Sequence, residues 1–147
     1  MRRRAVLPIL TAVYLLAVAV ITLDPRPPAP AGNPLLRALL RAVSSLPGFG
    51  WVDYDVAEFT ANILLFVPMG VLFTLLLGVW RWWLAVAIGV FATLLIEFTQ
   101  RFLPARVSDP RDLLANTLGT LIGVAIVALV SWAGRRRRAE TGRRGRG

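Results

Sequence analysis

The chain contains no cysteine, no histidine and no lysine. The first absence excludes disulfides, thiolate metal sites and a cysteine nucleophile. The second removes the commonest general base and the commonest transition-metal ligand, and the third leaves no Schiff-base or phosphate-loop lysine. Charge is scarce as well, at 17% of 147 residues, against 56% hydrophobic residues and a mean hydropathy of +0.65. So apolar a chain does not fit an ordinary soluble domain; it fits a single membrane domain over residues 1–147. No cofactor and no metal is expected from this residue set. All 17 basic residues are arginine, for a net charge of +9. That balance can signal nucleic acid, but the arginines are distributed otherwise.

Four apolar segments are long enough to cross a bilayer. After the basic cap Met1–Arg4, Ala5–Leu23 runs 19 residues without a charge, about the length that spans a hydrocarbon core of ~30 Å. Pro8 falls in its first turn, where a missing N–H costs little. A cleaved signal peptide is the alternative, with Ala29-Pro30-Ala31 as the cleavage site, but its apolar core is usually only ~7–15 residues, which favours a retained helix. The second segment covers about 56–79, with Asp55 and Glu58 as a capping box and Pro68 set to kink it unless a neighbour satisfies the freed carbonyl. A short turn at Gly78–Arg81 returns the chain through a third segment, about 82–103. Asp109 as N-cap and Pro110 at the first helical position open the fourth, about 110–133. Residues 134–147 are expected to be a disordered basic tail. Between the first two spans, 34–46 places Leu35, Leu36, Leu39, Leu40, Val43 and Leu46 on one side and Arg37 and Arg41 on the other. This is an amphipathic helix too short to span, expected to lie in the outer interface or against the bundle.

The expected fold is therefore all-α: a polytopic bundle of four transmembrane helices plus one interfacial helix. The side with both termini and the Trp80–Trp82 turn carries eleven arginines; the other carries six, diluted by seven of the eight acids. The positive-inside rule makes both termini cytoplasmic. Trp80, Trp82, Trp83 and Trp132 then form one aromatic belt, and Trp51 and Tyr54 the other. Topology accounts for the basic tail, and no aromatics interleave with its charge, so a nucleic-acid partner is not expected.

Counting from the turns brings three polar side chains to one depth. Asn62 lies 18 residues before position 80 and Glu97 17 after it; around Arg106, Glu97 is 9 before and Asn116 10 after. Gln100 shares a side of its helix with Glu97, and Asp109, Asp112 and Asn116 share a side of the next. Structural explanations compete: the aspartates can be helix caps, and the asparagines can be interhelical hydrogen bonds. Glu97 differs, because an ionisable group near hydrocarbon is costly and is a functional candidate by default. Ala115, Gly119 and Gly123 repeat every four residues as a small-residue packing stripe.

The run Asn62-Ile63-Leu64-Leu65-Phe66-Val67-Pro68-Met69-Gly70, then Glu97-Phe98-Thr99-Gln100, then Arg106, Asp109, Asp112, Asn116, Gly119 and Gly123 at their spacing, resembles the VanZ-like family of bacterial membrane proteins. The likeness covers about residues 58–127. It implies a small multi-pass protein of the bacterial cytoplasmic membrane, and its name-giving member is associated with low-level resistance to the glycopeptide teicoplanin. It carries motif roles onto Phe66, Pro68 and Gly70 as well as the polar positions. Pro110 and Arg111 depart from the apolar or acidic pair expected there. Some members carry a phosphotransbutyrylase label, which this chain, without lysine, histidine or a phosphate-binding glycine loop, does not support.

Three functions follow as expectations. The first is non-enzymatic binding, among membrane lipids, of an anionic or lipid-linked envelope headgroup, with Arg106 and Arg111 beside a helix N-terminus suited to an anion. The second is a membrane-embedded hydrolase or transferase with Glu97 as general base, which lacks an evident nucleophile. A divalent ion on Glu97, Asp109 and Asp112 is disfavoured by the interleaved arginines. The third is a small transporter or assembly partner, which with so few helices requires a homo-oligomer.

Overall fold

The structure, a computed structural model, describes residues 2–23, 34–103 and 109–144. Among them are five α-helices, one short 3-10 turn and no strand: α1 (Arg2–Thr22), α2 (Pro34–Ser44), α3 (Tyr54–Leu77), the turn Val79–Arg81, α4 (Trp82–Gln100) and α5 (Pro110–Arg144). Three stretches, Tyr54–Leu77, Val79–Gln100 and Pro110–Arg138, are long and apolar enough to cross a membrane. The apolar part of α1, Val6–Thr22, is shorter at 17 residues, or ~26 Å at 1.5 Å per residue.

The helix ends follow from local chemistry, with two corrections to the sequence expectations. The capping box at Asp55 and Glu58 is not how α3 starts. Asp53 is the N-cap, its carboxylate accepting from the Val56 N–H at 3.0 Å. The run Asp53-x-Asp55-x-x-Glu58 offers two registers, and the earlier one satisfies an orphan N–H a turn sooner while leaving Asp55 in the first turn, where the helix dipole favours it. At its other end α3 stops on Gly78, whose φ of +83° lies in the left-handed region and whose N–H donates to the Thr74 carbonyl at 2.9 Å. Without a Cβ that conformation is cheap. The turn is so short that α4 must return antiparallel to α3.

Asp109 caps α5 as expected, accepting from the Arg111 N–H at 2.9 Å with Pro110 as the first helical residue. The second correction is at the far end: α5 does not stop near Ala133 but continues to Arg144. Gly134 costs only ~1 kcal/mol relative to alanine, and Arg, Ala and Glu are good helix formers. The Arg136 guanidinium also stacks 3.8 Å over the Trp132 ring, one turn back. At 35 residues the helix is ~52 Å long, well beyond a ~30 Å hydrocarbon core.

The interior is built on α3 and α5. A Cβ on Gly119 would overlap the Ile63 carbonyl, one on Gly123 the Val67 carbonyl, and one on Gly70 the Thr120 carbonyl. The two helices thus run backbone against backbone, as small residues allow where lipid supplies no hydrophobic drive. Phe66 and Met69 are fully buried beside this seam. α4 closes the third side, with Gly89 against the Thr120 side chain. α1 packs mainly on α3, and α2 makes no broad contact with another helix. α3 continues through Pro68, and the Tyr14 hydroxyl of α1 donates to the neighbouring Leu65 carbonyl at 2.7 Å.

Polarity is inverted relative to a soluble protein. Thr74, Thr93, Thr120, Asn116, Gln100 and Glu97 are buried, whereas Leu64, Phe91, Phe98 and Val130 are 65%, 68%, 59% and 68% exposed. Large apolar side chains outside and small polar ones inside make sense only with hydrocarbon as the solvent. The fold is a membrane helical bundle.

Candidate functional site

One end of the bundle gathers the polar groups: the start of α3, the end of α4 and the start of α5. The other end carries the arginines of α5. At the polar end, the Asn62 amide of α3 donates to Asp112 of α5 at 2.7 Å. One turn deeper on α5, the Asn116 amide donates to the Thr93 hydroxyl of α4 at 2.7 Å. Glu97 follows Thr93 by one turn and so stands level with Asp112, within electrostatic reach of it, as are Glu58 and Asp109. Asn62, Glu97 and Asp112 therefore share a level and Asn116 lies a turn below. Gln100 reaches sideways, its amide donating to the Thr22 carbonyl at the end of α1 at 2.9 Å.

Burial sorts these groups. Glu97, Gln100 and Asn116 are 8%, 6% and 3% exposed, so each lost its water and must be satisfied internally. Asn116 is only half satisfied, because its Oδ1 has no partner among the described residues. Such an orphan acceptor costs roughly 1–3 kcal/mol and marks a place where a donor fits.

Above this level lies a small recess lined by Asp55, Glu58, Phe59, Asp109, Arg111 and Asp112, with a volume of about 60 Å³. A water-sized group needs ~10–15 Å³ on this measure, so the recess admits a few such groups and not a sugar ring. Among the described residues, its lining sets four carboxylates beside one guanidinium. That guanidinium is already engaged: Arg111 Nη1 lies 3.3 Å from Asp55 Oδ2.

Of the residues singled out from the sequence, Asn62, Glu97, Asp109, Asp112 and Asn116 come together here, and Gln100 sits at their edge against α1. Phe66, Gly70, Gly119 and Gly123 form the packing beneath, while Pro68 is exposed on the outer face of α3. Arg106 and Ser108 lie outside the described residues. The Thr99 hydroxyl, near Glu97 on α4, donates to the Leu95 carbonyl at 2.8 Å. Among the described residues, no three acidic side chains are arranged to hold a metal ion. Sequence reasoning missed Thr93. The available signal was its place four residues before Glu97, hence on the same inward face.

Comparison with known proteins gives one match. No curated protein and no solved structure is detectably similar, but a family model described as VanZ/LLP1 matches residues 11–131. That match takes in the second half of α1, the glycine seam, all six described polar positions and most of the apolar part of α5, and the chain belongs to the VanZ/LLP1 family.

Proposed function

We propose that this protein is a non-enzymatic, multi-pass binding protein of the bacterial cytoplasmic membrane, whose polar end faces outward and holds the amine-bearing headgroup of an envelope lipid. The observation that carries this reading is the acidic recess over a half-satisfied, buried amide. An ammonium group is small enough for about 60 Å³ and donates to carboxylates in charge-assisted hydrogen bonds. Sequence alone favoured an anionic or lipid-linked headgroup. The preponderance of carboxylates among the described lining residues supports a zwitterion, with its ammonium in the recess and its phosphate outside.

Orientation follows from the arginines, which concentrate at the far end and so belong in the cytosol. A catalytic reading has less support, because the hydroxyls nearest Glu97 along α4 are engaged, Thr93 accepting from Asn116 and Thr99 donating to the Leu95 carbonyl. The family resemblance motivates extending the proposal to glycopeptide susceptibility: occupancy of an envelope lipid at the outer surface would alter what a teicoplanin-type drug meets.

The test uses the full chain in nanodiscs, with native mass spectrometry of retained lipid. Phosphatidylethanolamine is expected to be retained over phosphatidylcholine and phosphatidylglycerol, and Asp112→Asn together with Glu58→Gln to abolish the preference. Equal retention of all three lipids contradicts the reading. In a deletion strain, the wild-type gene is expected to restore teicoplanin tolerance and the double variant not to.

A further inference from the structure

α1 and α4 run side by side in the same direction, yet they barely touch. At their polar ends the Gln100 amide donates to the Thr22 carbonyl. Beneath that bridge lies an apolar furrow of about 290 Å³, bounded by Leu15 to Leu23 of α1 and Ala92 to Thr99 of α4, with Met69 of α3 as its floor. Thr99 is the only polar side chain on its walls, and its hydroxyl is spent on the Leu95 carbonyl. The furrow has nothing to offer a headgroup.

Its dimensions and position name the occupant. The eight-residue step from Leu15 to Leu23 makes it ~12 Å long at 1.5 Å per residue. That is close to the ~15 Å of one leaflet in a ~30 Å hydrocarbon core. It begins at the polar end and runs parallel to the helix axes, as a lipid tail does. Left empty, the walls would forfeit dispersion contacts with nothing in return.

We infer that this furrow holds one acyl chain of an outer-leaflet glycerolipid, threaded beneath the Gln100–Thr22 bridge. Gln100 stands between the furrow and the Asn62–Asp112 cluster, so one lipid can place its tail in the first and its head over the second. The inference extends the headgroup reading in that respect, but the tail site stands on its own geometry.

The experiment uses the full chain in nanodiscs containing a phospholipid with a photoactivatable diazirine midway along one acyl chain. Crosslinked peptides are mapped by mass spectrometry. Labelling is expected to concentrate on Leu15–Leu23 and Ala92–Thr99, above the level at Leu114, an exposed lipid-facing site on α5 at the same end. Ala92→Leu, which fills the furrow, is expected to drop it to the Leu114 level, and Ala19→Leu serves as an independent filler should the first variant misfold, as judged by circular dichroism and elution. Labelling spread evenly around the bundle, or unchanged in a folded furrow-filled variant, overturns the inference. Repeating the experiment with a choline headgroup separates the two readings. Furrow labelling without headgroup preference sinks only the headgroup reading, and headgroup preference with labelling spread evenly around the bundle sinks only the tail site.

Discussion

The α3–α5 seam and the attachment of α1 are two solutions to helix association within one small bundle. In the seam, three glycines set carbonyl oxygens where Cβ atoms would otherwise stand. α1 is held by buried Val18 and by two hydrogen bonds, Tyr14 to Leu65 and Gln100 to Thr22. It leaves apolar furrows on both flanks, about 290 Å³ toward α4 and about 330 Å³ toward α3. The seam has no slack, so it fixes the spacing of Asn62 and Asp112. α1 has slack, so it can admit lipid.

The contrast yields graded predictions. Gly119→Val or Gly123→Val drives a branched side chain into a backbone carbonyl. Repacking a filled site typically costs ~1–3 kcal/mol and occasionally more, and here the obstacle is backbone that cannot rotate away. Loss of the folded, monodisperse protein in detergent is expected; normal accumulation and elution would mean that the seam is looser than described. Asn62→Ala removes the donor to a half-buried carboxylate and should cost ~1–3 kcal/mol, read as a lower melting temperature in detergent. Tyr14→Phe removes one α1 hydrogen bond, worth ~0.6–2 kcal/mol in a membrane bundle. It should leave the Asn62–Asp112 pairing intact while increasing protease access to α1. Arg111→Ala breaks a pair whose side chains are each 68% exposed, so its effect on stability should stay below ~1 kcal/mol.

The same contrast explains what could be read from the sequence. The helices were legible because apolar runs and turn residues punctuate them. Counting residues from the turns brought Asn62 and Glu97 to one level but set Asn116 a turn too high, since it pairs with Thr93 one turn below them. Counting gives approximate depth and no partners: Asn116 meets Thr93, and Asn62 meets Asp112, because rotation about each helix axis is set by the glycine contacts. Asp53 was passed over because Asp55 and Glu58 offered a competing register. The extension of α5 was missed because charge was weighed over the helix propensity of arginine. The furrows were invisible, since a void depends on how far two backbones stand apart and no residue encodes that distance alone.

The central claim is that the acidic recess over Asn116 selects an ammonium-bearing lipid, and the most direct measurement is competition in nanodiscs between phosphatidylethanolamine and its N-methylated series, read by native mass spectrometry of the full chain. Retention is expected to fall as each methyl removes a hydrogen-bond donor and enlarges the group, and to become flat across the series in the Asp112→Asn, Glu58→Gln variant. A flat series for the wild-type protein would contradict the account.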